Sequence, residues 1–555
     1  MTLPTFEGQL VRPGDPDYEA ACLNWNGRFA IKPKLFAFCT RTTDVVYALA
    51  LARQQNLPVR VRSGGHSYEA FSLVNNGVVI DLSRLNTVRS VNVQRQVAVV
   101  DAGIQLGALY AALSPFGVAV PGGSCPTVGL AGSALGGGYG VTSRLWGLTC
   151  DNVLDIEFVN AAGKIIHANA QTNADLFWAC RGGGGGNFGI VTAFTLQVHP
   201  ITALASAIDE ARASEEEEAT ASNVSAPLSG TNQTLSALSS ATAAGTCPEY
   251  FLPHTPPALQ ELVDPVSIYL LFWPLNQWKA AFRAWQSSAP TADRRLTSTF
   301  HVGVKGGGAV RSVGLFLGPS EAMLHAIAPL TAVCGARLHC GRVSFAHAIL
   351  IMGGEVNWPG LERTFAAAGW TMPHGWRDRD QQNFKNTSHF AYKPLSDTAL
   401  NKIEETLKKA PFKEGGNMEA PFLQCDSYGG AISDIAPSAT AFVHRTPVFG
   451  LQYQAAWDKG EPAAQYIAWV DGFRKTMQPY CSGAYVNYCD LNLPNWAKAY
   501  YGANLTRLAK VKRKFDSTNL FKFPQSIPTT LAQTAALDQG SGEDSAETIA
   551  QENAE

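Results

Sequence analysis

Two glycine-rich turns, each holding one nucleophilic side chain, constrain this chain more than any other feature in it. The first reads Arg62, Ser63, Gly64, Gly65, His66, Ser67, Tyr68. The second reads Gly122, Gly123, Ser124, Cys125, Pro126, Thr127, Val128, Gly129 and runs on through Gly132 and Ser133 to Gly136, Gly137, Gly138, Tyr139 and Gly140. Glycine lets backbone N–H groups come close to a ligand, and such turns cradle anionic groups. A flexible linker does not explain the second stretch, because Cys125, Pro126, Val128, Leu130, Leu135 and Tyr139 interrupt it and need packing partners. Nor is the first the G-x-G-x-x-G dinucleotide turn, since no long helix with a later acidic residue follows it. A third glycine cluster at 182–189 leads into Ile190 and Val191 at the start of an apolar run.

The segments between these turns predict an α+β fold of small sheets and short helices. Residues 42–55 read as an amphipathic helix capped by Thr42 or Thr43, with Val45, Val46, Leu49 and Ala52 on one face. Strands are predicted over 58–62, 78–81, 97–101, 118–120 and 187–198, with a hairpin over 153–167. A short helix is predicted over 107–113, and a helical turn begins at Asp175. Residues 203–247, rich in Ala, Ser, Thr and Glu, read as an exposed, disordered insertion. The acidic tail 531–555 reads the same way. At 555 residues the chain is too long for one core. The expected division is 1–200 for cofactor binding, 201–470 for substrate under an antiparallel sheet covered by helices, and 471–530 returning to the first part.

A formal net charge of −2 gives no reason to expect a nucleic-acid partner, and no apolar run is long enough to span a bilayer. The start, Met1 to Glu7, is no signal peptide; the chain is cytoplasmic, or secreted if a leader has been removed. Eleven cysteines lack metal-ligand spacing, so no metal is expected, and no two suggest themselves as a pair. Sequons at Asn223, Asn232, Asn386 and Asn504 support secretion only mildly.

The sequence resembles the berberine-bridge-enzyme-like branch of the vanillyl-alcohol-oxidase type of FAD enzymes, over about residues 25–200 and 420–530. Three C-terminal signatures join the two turns in carrying the resemblance. They are Ala484 to Tyr488 (Ala-Tyr-Val-Asn-Tyr), Tyr500 to Asn504, and Val511 to Asp516 followed by Pro524 to Ile527. It implies bicovalent FAD, with His66 on the flavin 8α carbon and Cys125 on carbon 6. It further implies a cofactor cradle of Arg62, Ser63, Gly64, Gly65, Ser67, Tyr68, Val128, Gly129, Gly132, Ser133, Tyr139, Gly189, Ile190, Val191, Tyr485 and Asn487. The partners expected are a small-molecule substrate and oxygen, with the chain a monomer.

Flavin oxidases need a base to take the substrate proton while hydride leaves. Tyr488 is the candidate. Tyrosine titrates near 10, so it needs a carboxylate to accept its proton or positive neighbours to lower its pKa. In a regular strand Tyr485 and Asn487 would share one face and Tyr488 the other. Either Asn487 then turns to the flavin side, or the strand is irregular there.

As a strand, Phe422, Gln424 and Asp426 share a face. An aromatic platform, an amide and a carboxylate suit a sugar, although a solvent-facing strand has the same pattern. Within the branch the segment resembles the gluco-oligosaccharide oxidases. The resemblance implies Asp426 as the assistant of Tyr488, and Gln424, Gln452 or Gln454, and Tyr68 as substrate contacts. Those oxidases carry tryptophan where Phe422 stands. Three functions are open: a carbohydrate oxidase, a secondary-metabolite oxidase or oxidative cyclase, and a non-catalytic binding protein, against which His66, Cys125 and Tyr488 argue.

Overall fold

The computed structural model describes residues 4–201, 250–251, 265–304, 310–353, 382–413, 420–530 and 533. The stretch 203–247 and the tail, apart from Gln533, lie outside the described residues. The fold is mixed α+β, as expected from the sequence.

The chain first builds a four-stranded sheet in the order Gln9–Val11, Leu35–Phe38, Val78–Asp81, Val59–Arg62. Its last three strands are parallel. The helix Thr42–Gln54 packs on it through Val45, Ala48, Leu49 and Ala52. Neither Thr42 nor Thr43 caps that helix. Arg41 is the N-cap, and the Asp44 carboxylate instead accepts the N–H groups of Glu7 and Thr40 at 2.9 and 3.0 Å. A five-stranded antiparallel sheet follows, in the order Val88–Asn92, Val97–Asp101, Ile190–Gln197, Val153–Val159, Ile165–Asn169. The hairpin and most of the strands of the sequence reading are therefore present. The 118–120 strand is shorter, Val118–Ala119, and pairs with His199–Pro200.

The eight-stranded sheet runs Tyr250–Phe251, Arg337–Ser344, Pro265–Trp273, Val310–Phe316, Leu296–Val302, Phe422–Ser427, Phe449–Trp457, Asn383–Ala391. Helices Trp278–Ser288, Asp397–Lys408 and Ala463–Met477 contribute to the core on one face of it. The middle helix has Ser396 as its cap, accepting Ala399 N–H at 3.3 Å. It buries Ala399, Leu400, Ile403 and Leu407, a period that suits one helical face. Along Phe422–Ser427, Leu423 and Cys425 enter that core, so Phe422, Gln424 and Asp426 point to the opposite face.

The last segment packs on the glycine cluster at 182–189. Lys512, fully buried, donates to Asn187 O at 2.6 Å, Asp516 Oδ2 at 2.7 Å and Phe521 O at 2.8 Å. Ile527 N–H donates to Asn187 Oδ1 at 2.8 Å. Of the described cysteines Cys334 is disulfide-bonded, which the sequence gave no basis to expect. The described sequons are structural: Asn386 is buried, and Asn504 spends its amide on Pro437 O, Thr440 O and Ala441 O. Among the described residues no group of His, Cys, Asp and Glu could hold a metal, and no helix is long and apolar enough to cross a membrane.

Candidate active site

The two glycine-rich turns interlock. A Cβ on Gly64 would stand 2.2 Å from Gly129 N, and a Cβ on Gly129 would stand 2.3 Å from Gly64 N. Only glycine allows the two backbones to meet this closely. His66 bridges them as well, its Nε2 lying 2.9 Å from Thr127 Oγ1. Trp25 stacks on the His66 ring at 4.4 Å and 19°, and its backbone N–H donates to Gly65 O at 3.1 Å. Nothing local in the sequence marks Trp25, which comes from a loop 41 positions upstream. Gly132 faces open space, with nothing within 4 Å of an added Cβ.

The interlocked turns form one wall of a cavity of about 880 Å3. The Ile190 strand start, the Tyr485–Tyr488 segment and the sheet face of Phe422, Gln424, Gln452 and Gln454 also line it. All the nominated site residues line this cavity except Arg62. That side chain is fully buried beneath its turn, where it pairs with Asp81, donates to Ala21 O at 2.6 Å and lies over the Phe36 ring. It belongs to the scaffold because the last residue of its strand faces the core. Among the described cysteines outside a disulfide, Cys125 is exposed and the others are buried.

The expected strand at 484–488 is a 3-10 turn over Val486–Tyr488, closed by Tyr488 N–H to Tyr485 O at 2.9 Å. Residues three apart then lie on the same side. Tyr485 and Tyr488 meet edge to face at 4.9 Å, and both line the cavity with Asn487. The Tyr485 hydroxyl accepts from Gly138 N–H at 2.9 Å, Tyr139 N–H at 3.2 Å and Asn487 Nδ2 at 2.8 Å. Asn487 also donates to Ser133 O at 2.9 Å. Tyr139 stacks on Tyr428 and donates to Ser427 O at 2.9 Å.

A chain of polar contacts crosses the sheet face. Gln424 pairs with Gln452 and Phe422 with Gln454 in the strand register, which puts all four on one surface. Gln424 Nε2 donates to Asp426 Oδ1 at 2.9 Å, and Gln454 Nε2 donates to Gln424 Oε1 and Gln452 Oε1, both at 3.0 Å. Gln452 Nε2 donates to the Tyr68 hydroxyl at 2.7 Å. Asn386, which the sequence marked only as a sequon, contacts the same hydroxyl. Tyr68 stacks on Tyr488, and the Tyr488 hydroxyl interacts with the Asp426 carboxylate.

Burial pushes the Asp426 carboxyl up to about 6, against the hydrogen bonds from Gln424 and Tyr488. Burial, then the Asp426 charge and the neighbouring tyrosines, hold the Tyr488 hydroxyl well above its ordinary value. Of the two aids a tyrosine base would need, a neighbouring carboxylate is present beside Tyr488. The leading causes of the Tyr488 shift are burial, the Asp426 charge and the neighbouring tyrosines, with no cation among them.

The residues present fit FAD. Residues of the three glycine clusters line the cavity, where their backbone suits anionic phosphates, together with the exposed Cys125, His66 and the polar sheet face, which can meet a second molecule.

Comparison with known proteins bears on this directly. Residues 33–169 match the family model "FAD binding domain", and residues 484–528 match "Berberine and berberine like". An uncharacterized FAD-linked oxidoreductase, YgaK of Bacillus subtilis, is 32% identical over 95% of this chain and 98% of its own length. The monolignol oxidoreductase AtBBE-like 13 of Arabidopsis thaliana is 27% identical over 90% of this chain and 84% of its own. The solved structure of BBE-like 1 from Physcomitrella patens superimposes with a TM-score of 0.76, at 28% identity, covering 94% of this chain and 97% of that one. The chain therefore belongs to the berberine-bridge-enzyme-like family of FAD-linked oxidoreductases.

Proposed function

We propose that this oxidoreductase oxidises the anomeric C1 hydroxyl of a reducing mono- or oligosaccharide to a lactone, with oxygen reduced to hydrogen peroxide. His66 and Cys125 would hold the flavin covalently. Residues 1–200 with 471–530 would form the FAD-binding part, and 201–470 the substrate part. The chemistry that FAD supplies when bound is acceptance of hydride from the substrate carbon and delivery of two electrons to oxygen.

The observation that carries the reading is the amide-rich face of Gln424, Gln452 and Gln454 beside the Tyr488–Asp426 pair. A sugar offers hydroxyls that both donate and accept, and a carboxamide side chain does the same. Phe422, at the edge of this face, offers an aromatic surface to a ring. The substrate hydroxyl meets Tyr488. As its O–H bond breaks, the proton passes to the Tyr488 oxygen while the Tyr488 proton moves to Asp426. The tyrosine thus never has to exist as a lone buried phenolate, which its surroundings disfavour. Loss of hydride and proton together removes two electrons from C1 and leaves the lactone carbonyl. Two anchors would hold the flavin without an enclosing pocket, which leaves room for a long substrate.

A second reading, an aromatic alcohol or another natural product as substrate, is favoured by phenylalanine at 422 and by the monolignol relative. Peroxide release with cello-, malto- and chito-oligosaccharides, lactose and aromatic alcohols separates the two. Turnover of a reducing sugar is expected. Turnover confined to aromatic alcohols selects the second reading, and no peroxide from any member of the panel excludes the first.

A further inference from the structure

Lys385 lies beneath the cavity on the strand Asn383–Ala391. Its neighbours Phe384 and Asn386 line the cavity, and its own side chain is only 1% exposed. Its ammonium is 2.8 Å from Glu69 Oε1 and pairs closely with Asp490 Oδ1. Both carboxylates are equally buried. Glu69 directly follows Tyr68, and Asp490 stands two residues after Tyr488. The two tyrosines of the stack thus belong to segments that one ammonium holds together.

We propose that Lys385 is a positioning residue for proton transfer, its bridge between Glu69 and Asp490 setting the spacing of Tyr68 and Tyr488. This rests on the reading of Tyr488 as the base. Neighbouring contacts make the bridge directive. Asn26 Nδ2 donates to Tyr68 O at 2.8 Å and to Phe384 O at 3.0 Å, which ties the Tyr68 turn to the same strand. Asp490 is fixed from behind, its N–H donating to the Tyr500 hydroxyl at 3.0 Å and its carbonyl accepting from Gln525 Nε2 at 2.7 Å. Arg28 reaches Glu69 but does not bridge to Asp490. Without Lys385, Arg28 would still pair with Glu69, but the buried Asp490 carboxylate would lose its ammonium partner and the ionic link between the two segments would be gone. Burial opposes a charge on Lys385, yet the two acids keep it protonated.

The test compares Lys385→Met, Lys385→Arg and Glu69→Gln as FAD-loaded enzymes, alone and with Tyr488→Phe. A crystal structure reads the Tyr68–Tyr488 ring separation, whatever the substrate. Stopped-flow reduction under anaerobic conditions reads the chemistry with the best substrate of the peroxide panel. Lys385→Met is expected to open the stack beyond 5.6 Å. It should slow reduction at least about tenfold with KM little changed, since small misplacements of reacting groups cost rate steeply. Lys385→Arg should restore most of the rate, and Lys385→Met should add nothing in the Tyr488→Phe background. If Lys385→Met does not accumulate folded, Glu69→Gln takes its place with the same expectation. A folded variant with the stack intact and wild-type reduction overturns the inference. An unchanged rate in Tyr488→Phe alone overturns the reading beneath it instead.

Discussion

Tyr68 and Tyr488 lie face to face, ring centroids 5.6 Å apart and planes 2° from parallel, although 420 residues separate them in the chain. One belongs to the turn that carries His66, the other to the C-terminal segment. Asp426 reaches the pair from the eight-stranded sheet through Tyr488. The three meet in one place only in the folded molecule, and each of the following expectations tests part of that meeting.

Covalent attachment is the most direct to check. Protein denatured and precipitated in acid is expected to stay yellow. His66→Ala and Cys125→Ala should each retain bound flavin through the remaining anchor, and the double variant should release it. Flavin lost from the wild-type protein on simple precipitation would sink the bicovalent assignment.

Tyr488→Phe removes the hydroxyl but keeps the ring that packs on Tyr68 and Tyr485. Bound flavin and thermal stability should stay close to wild type. Anaerobic flavin reduction should slow at least about a hundredfold, the usual scale of a lost general base.

Asp426 is 4% exposed, and its carboxyl is raised from 3.8 to about 6. As proton acceptor it must be ionised, so kcat/KM should rise with pH through about 6, and Asp426→Asn should lose that limb and most of the rate. Stability runs the other way. The folded state binds the proton more tightly than the unfolded chain, so this contribution is full below the unfolded pKa and lost as pH rises through about 6. The cost at neutral pH is about 3 kcal/mol. Asp426→Asn should therefore raise the thermal midpoint at pH 8 and leave it little changed at pH 4; the same shift at both would contradict the argument.

Gly129→Ala tests the interlocked turns. The added methyl meets backbone at Gly64 N and the Ser63 hydroxyl, both 2.3 Å away. The Ser63 hydroxyl can rotate aside, but the Gly64 backbone cannot withdraw without separating the two turns. Overpacking of this kind costs about 1–3 kcal/mol. Flavin content should fall with stability; wild-type flavin loading by absorbance would show that the close approach is dispensable.

The sequence by itself determined the local pieces. Glycine content marked the turns, apolar periodicity marked the helix at 42–54 and most strands of residues 59–197, and alternation put Phe422, Gln424 and Asp426 on one face. These features arise from backbone sterics and side-chain period, which short windows of sequence carry. Only the tertiary structure decided that the 484–488 segment turns as a 3-10 helix and brings Tyr485, Asn487 and Tyr488 to one cavity. It also decided that Arg62 points inward to Asp81, that Trp25 stacks on His66, and that the strand with Lys385 and Asn386 joins the site. Each of these depends on a partner from a distant part of the chain. Burial at such a meeting point, rather than residue type, is what raises the Asp426 carboxyl beside Tyr488. The sequence names the groups, and packing sets the distances and the dielectric in which they work.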